Sequence, residues 1–260
     1  MGRLLVAFVV CLACVGCGPS HALVPSPPTD VQALAAEYDD PTGTVPVQAM
    51  AQLEELQQEV RTIDATGFIG VVGDLLAAVE KRVADSGLPT DPLAHPKKHR
   101  PVISGSITFT RTCKGWDDAS TTPDPADGSI TATVVFQNGV LDRTIWGTAS
   151  NCHERVPGPG DTTIHALFDG TLTVYLEGPL ESDTSKGAYL VVWSGTIGTE
   201  AASVPLDFDF RVVPPSVEVR IPVADGSIIG SIGASGVSLR GANGTFTCSA
   251  DTFTCTMPAS

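Results

Sequence analysis

Cys152-His153-Glu154, with Cys113 earlier in the chain, brings together side-chain types that bind zinc: thiolates, an imidazole and a carboxylate. No Cys-x-x-Cys or His-x-x-x-His spacing accompanies them, so these cysteines read as partners for one another and not as metal ligands. The segment 114–128 carries Trp116, Asp117, Asp118, Asp124 and Asp127, oxygen ligands of the sort calcium takes in exported proteins. Their spacing departs from an EF-hand loop, which leaves turn aspartates in water and Trp116 as a ligand contact. Asp207 and Asp209 share one face of an extended segment, as paired catalytic carboxylates would, but Arg220 and Arg211 fall opposite and account for that face as ion pairs. His165 falls beside Leu167 and Leu172 and reads as a core histidine. His95 and His99 are separated by Pro96 and flanked by Lys97, Lys98 and Arg100, the makings of a basic solvated linker. There is no Gly-x-Ser-x-Gly elbow, and Gly230, Gly233 and Gly236 lack the strand-to-helix setting of a phosphate loop. The residues therefore point to no catalytic site, no cofactor and no metal, and to a chain that is not an enzyme.

The elements that must position these residues fall into two regimes. Val47, Met50, Leu53, Leu56, Val60 and Ile63 recur at steps of three and four, with Gln52, Glu54, Glu55, Gln58 and Glu59 on the other face, which predicts an amphipathic helix. A second helix is expected from 67 to 86, with Val72, Leu75, Leu76, Val79 and Val83 inward and Gly87 as its stop. Residues 45–87 thus read as a helical hairpin. The segment 17–44 has prolines at 19, 25, 27, 28 and 41 and reads as a tether, within which Thr29 and Asp30 can cap a short helix carrying Val31, Leu34 and Tyr38. Residues 88–101, with Pro89, Pro92, Pro96 and Pro101, form a linker.

From 102 to 260 the period becomes 2. Asn138-Gly139 marks a hairpin that sets Phe136 against Leu141 and Ala132 against Ile145, and Asp169-Gly170 marks a second in which Leu167 meets Leu172. A turn over 213–216 aligns Val212 with Val217, Phe210 with Val219, Phe208 with Ile221 and Leu206 with Val223. That register places Arg211 opposite Glu218 and Asp209 opposite Arg220. The phrase Asp-Gly-Ser-Ile recurs at 127 and 225, with variants at 104 and 169, at unequal intervals that mark turn chemistry and not a repeat. The fold class that follows is α+β, mainly β: an N-terminal helical hairpin, then an antiparallel meander of about 10 to 12 strands in an open or closed barrel.

Four cysteines follow Cys17, and the expected bonds are Cys113–Cys152 and Cys248–Cys255. In a meander Cys113 and Cys152 reach the same end of the sheet on strands two apart, so both must lie just past the ladder, where the bend ties the Trp116 loop to His153. By chain entropy the two bonds stabilise the fold by about 4 and about 2.5 kcal/mol.

Residues 1–16 carry one charge, Arg3, then an apolar run from Leu4 to Val15 that is shorter than the ~20 residues a bilayer span needs, and read as a signal peptide. The run ends on Ala13, Cys14, Val15, Gly16, Cys17 and resembles the lipobox of bacterial lipoproteins, which implies a diacylglycerol on Cys17, with Cys14 as the alternative. The resemblance implies a membrane partner through that anchor. Gly18 in place of Asp implies the outer membrane, on its periplasmic or surface face. Cleavage removes only Arg3, leaving 14 basic and 29 acidic side chains and a charge of −15, which repels phosphate backbones and excludes nucleic acid as a partner. Helices followed by a β meander on a lipid anchor, over residues 46–257, also resemble the architecture of the LolA/LolB-like half-barrels that chaperone lipoproteins. The leading expectation is an envelope lipoprotein whose β domain serves binding or structural support, with a carrier of lipid or another hydrophobic ligand as the alternative.

Overall fold

The computed structural model describes residues 30–46, 49–65, 67–88, 104–117, 122, 124–157, 162–180, 186–199, 202–233, 236–249 and 254–256. Cys14, Cys17, Gly18, the signal segment and the histidines of the basic linker lie outside them. Three helices come first, α1 (Val31–Asp39), α2 (Met50–Ala65) and α3 (Phe68–Asp85). Eleven strands follow: β1 (Gly105–Thr112), β2 (Ser129–Gln137), β3 (Val140–Pro157), β4 (Thr163–Leu176), β5 (Tyr189–Gly198), β6 (Ser203–Val213), β7 (Ser216–Val223), β8 (Gly226–Gly233), β9 (Gly236–Gly241), β10 (Gly244–Ser249) and β11 (Thr254–Thr256). They pair antiparallel in chain order as one sheet, and β1 does not pair with β11, so the sheet is an open meander.

The helical hairpin forms where the 3.6-residue period placed it. Gly67, at φ +63°, opens α3 directly after α2, and a side chain there would collide with Val156. Gly87, at φ +67°, follows the end of α3. Leu53, Leu56, Ile63, Phe68, Val72, Leu75, Leu76, Val79 and Val83 are fully buried and join the inward residues of the strands in one core. Burial of each such side chain is worth roughly 1.5–3 kcal/mol against exposure. Phe68 stands at the centre of this inner face, with the rings of Phe208, Trp193, Phe168 and Phe210 at 5.1, 5.2, 5.6 and 6.3 Å.

The other face of the sheet carries α1. Asp30 caps it by accepting from the Ala33 N–H, and Val31, Ala35 and Tyr38 pack on Leu190 and Ile229. Residues 42–45 then pass the sheet ends: the Gly43 N–H donates to the Ser227 carbonyl and its carbonyl accepts from the Ala242 N–H, while the Val45 N–H donates to Asn243 Oδ1 and its carbonyl accepts from Asn243 Nδ2. The second half of the segment expected as a tether, 30–44, is therefore part of the packed body. Its short helix was legible from the cap and from Tyr38.

Three registers differ from the sequence reading, each for a local reason. Phe136 does pair with Leu141, but a two-residue shift beyond it sets Val134, not Ala132, against Ile145, and the even step keeps the same side chains inward. Asp169-Gly170 makes no turn: both residues lie inside β4, where Gly170 pairs with Gly195 of β5 at an approach too close for a β-carbon on either. The hairpin of β6 and β7 pairs Val213–Ser216, Val212–Val217, Arg211–Glu218 and Phe210–Val219 as expected, and the ladder then stops. Phe208–Ile221 and Leu206–Val223 are not ladder pairs.

Candidate functional site

The corner where a disulfide ties the end of β1 to β3, inside the long β3 strand beyond its pairing with β2, gathers most of the residues that the sequence singled out. Cys113 bonds to Cys152 with Cα atoms 5.5 Å apart, and Cys248 to Cys255 across the last hairpin. The chain bends after β1: the Cys113 N–H donates to the Gly128 carbonyl and the Gly115 N–H to the His153 carbonyl. Gly115 takes φ +72° there, beside the Asp127 carboxylate. Trp116 is thereby laid flat on His153, the rings 4.3 Å apart at 13°, and its Nε1 donates to the Ala166 carbonyl. Arg155 fixes the same loop by donating to the carbonyls of Asp117 and Lys114. Asp127 Oδ1 lies 3.9 Å from His153 Nδ1.

Asp124 and Asp127 are engaged as a reciprocal cap of the single turn Pro125–Asp127, so these carboxylates serve the loop's own backbone. The ligand atoms of Cys113, Cys152 and Glu154 do lie within 4.8 Å of one another. The two sulfurs are bonded together, and Glu154 Oε1 is 2.6 Å from the Arg111 guanidinium. What the zinc-like residue types build is a disulfide beside a buried ion pair.

Glu154 points into the core because of one bulge. The β3–β4 register shifts by a single residue between Ala149 and Cys152, with Asn151 at φ +44°, which reverses the facing of every later side chain. Cys152, Glu154 and Val156 turn inward and His153 outward. The Glu154 side chain is fully buried and Arg111 is 18% exposed. Burial pushes the Glu154 carboxyl above the ordinary carboxylate range, against the pull of Arg111. Lys114 Nζ and Asp74 Oδ2 of α3 form a second pair at 2.5 Å beside it.

His165 is not a core residue: it lies on the outer face of β4 opposite Arg155, half-buried, while Ala166 and Phe168 point inward. The continuous strand, and not a hairpin at Asp169-Gly170, decides that side. Asp207 is exposed, and Asp209 pairs with Arg220 at 2.8 Å as the sequence suggested.

That pair belongs to a network that sequence reasoning missed because it joins α1 to four strands of the outer face. The Tyr38 hydroxyl donates to Asp209 at 2.8 Å, Arg211 contacts Asp39 at 2.8 Å and Glu177 at 2.7 Å, Arg240 donates to the carbonyls of Tyr38 and Asp39, and Ser227 donates to Glu37. Burial first, then Asp209, holds the Tyr38 hydroxyl well above its ordinary pKa, so it stays a donor. Tyr38→Phe is expected to cost about 1.5 kcal/mol, the lower end for a hydrogen bond to a charged group because Arg220 still holds Asp209. Urea unfolding of the two chains checks this, and equal midpoints would show the bond to be idle.

The interrupted β6–β7 hairpin leaves a seam. Val213 and Ser216 close a two-residue turn, so the alternation of an antiparallel ladder makes 209/220, 207/222 and 205/224 its next hydrogen-bonding positions. Pro222 and Pro205 have no N–H to give at those positions. Each strand keeps its other neighbour along its whole length, β6 pairing with β5 and β7 with β8. The two prolines were the sequence signal for this seam. Next to it, Trp193 of β5 pairs with Phe208, and its Nε1 is buried with no hydrogen-bond partner among the described residues. The Tyr189 hydroxyl, on the same face of β5, is in the same condition. The chain matches no protein-family model, no curated protein and no solved structure.

Proposed function

We propose that this chain is a lipid-anchored protein of the cell envelope whose disulfide-bonded β domain acts in binding or structural support, without catalysis. The observation that carries this reading is the inner face of the sheet. Its apolar side chains meet those of α2 and α3 directly, as Phe68 meets four aromatic rings and Leu56 rests on Gly230, so the protein's own residues occupy the space between helices and sheet. The corner at His153 supports it too, since among the described residues the ring's neighbours are Trp116 and the Asp127 carboxylate, which make a scaffold and not a nucleophile with its base.

Two disulfides suit an oxidising compartment, and the lipobox-like run ending at Cys17 supplies the anchor. Twelve residues separate Cys17 from Asp30, the first of the described residues. The anchor would place the domain on the outer membrane, by the argument from Gly18. Intact-mass measurement of the membrane-extracted protein should show a chain that begins at Cys17 with added acyl mass, and Cys17→Ala should abolish that mass. A soluble mature form starting elsewhere would overturn the assignment.

A second reading, a carrier of hydrophobic ligand on a half-barrel, is favoured by one observation: the β6–β7 ladder stops after four pairs, beside an apolar row on β6 that ends in the exposed Val204.

A further inference from the structure

The two margins of the open sheet differ. β11 is three residues long and is held to β10 by the Cys248–Cys255 bond. β1 has eight residues with an unbroken register to β2, and neither short length, proline, lysine nor bulge blunts it against further pairing. The Cys113 N–H donates to the Gly128 carbonyl in line with that register, so by antiparallel alternation Gly105, Ile107, Phe109 and Arg111 turn their backbone groups toward β2. Those of Ser106, Thr108 and Thr110 point away from the sheet, and among the described residues no backbone group bonds to them.

Both faces of β1 show what would complete this edge. On the inner face Ile107 and Phe109 stay only partly buried, while α3 packs on β2 and β3 and α2 on β7 and β8. On the outer face Thr108 bonds Thr133 and Thr110 bonds Thr131 through their hydroxyls, at 2.9 Å each, a row that stops at the margin. The net charge of −14 lies elsewhere: the one ionisable side chain of β1 is Arg111, which turns inward to Glu154 of the same chain. A strand that fits here is uncharged along its length, apolar inward and hydroxyl-bearing outward. β1 itself meets that description.

We propose that two copies of this chain pair through β1, antiparallel about a two-fold axis at Thr108, into one continuous sheet. In that register Thr108 faces Thr108 of the second copy and Ser106 faces Thr110, all positions whose backbone groups point outward, and the hydroxyl row runs on across the axis. Ile107 faces Phe109 at the positions between, where side chains of an antiparallel pair approach most closely. A shift of two residues one way would set Arg111 against Ile107, and the other way Phe109 against Gly105. A shift of one residue would join inner face to outer face. This dimer goes beyond the binding or structural role proposed above and does not rest on it.

Sedimentation equilibrium of the full mature chain, in detergent matched to the solvent density, reads the association. A dimer is expected. Only the residue on the axis meets its own copy, so Thr108→Lys or Thr108→Glu alone should weaken the dimer about fivefold, and an equimolar mixture of the two should recover it. Thr110→Lys mixed with Thr110→Glu should show no such recovery. Thr108→Pro removes an N–H that points away from β2, so it should weaken the dimer at least about tenfold and leave the unfolding midpoint of the monomer unchanged. A monomer at the highest soluble concentration would overturn the proposal, as would a dimer that Thr108→Pro leaves intact or recovery at position 110 in place of 108.

Discussion

Replacing Cys113 and Cys152 together by alanine is expected to lower the unfolding free energy by about 4 kcal/mol, against about 2.5 kcal/mol for the pair Cys248 and Cys255. The difference follows from loop length, since the first bond closes a sequence separation of 39 residues and the second one of 7. Position adds to it. The Cys113–Cys152 bond ties the end of β1 to β3 beyond the bulge, and the Trp116–His153 stack depends on that bend. Near-ultraviolet circular dichroism should therefore lose part of its tryptophan signal in the first double variant and keep it in the second. Urea unfolding supplies the energies. A first variant as stable as the second would show that the corner is held by Arg155 and the capped turn, with the bond adding little.

Glu154→Ala is expected to be as damaging, by about 3–5 kcal/mol, because it strands the Arg111 guanidinium beside a buried apolar wall. Arg111→Ala should cost a similar amount by leaving Glu154 unpaired. Replacing both at once, Arg111→Met with Glu154→Leu, should be close to neutral, since the desolvation of both charges disappears with their attraction. That contrast separates a buried ion pair from a merely well-packed site, and equal losses in the single and double variants would refute it.

The same pair sets a pH dependence. The folded Glu154 carboxyl is raised by burial above its unfolded value, so the folded chain holds that proton more tightly. The resulting stabilisation is fully present below the unfolded carboxylate pKa of about 4.3 and is lost as pH rises through the folded value. Glu218 is raised by burial against Arg240 and Arg211, and acts with the same sign. Melting temperature should fall from mildly acidic toward neutral pH, and Glu154→Gln should flatten the fall.

Local chemistry was enough for much of this fold. The cap at Asp30, the helical periods of α2 and α3, the stop at Gly87, the Asn138-Gly139 turn and the first four pairs of the β6–β7 hairpin depend on neighbours within a few residues. The meander order then fixed which cysteines meet, because strand direction alternates and brings Cys113, past the end of β1, and Cys152, in the part of β3 that runs on beyond β2, to the same end of β2.

What the sequence did not determine was the facing of residues beyond an irregularity. Because side chains alternate with period 2, the one-residue bulge between Ala149 and Cys152 exchanges Glu154 for His153 in the core, and no local pattern announces where a bulge falls. Asp169-Gly170 has turn chemistry but sits in a continuous strand, because the close approach of Gly195 makes the same glycine useful there. His165 changes face with that strand. The α1 network joins residues as far apart in the chain as Tyr38 and Arg240, and no pattern along the chain pairs them. The seam lies between the two cases. Pro205 and Pro222 are visible in the sequence, but their missing N–H groups matter only once the register sets them on facing edges.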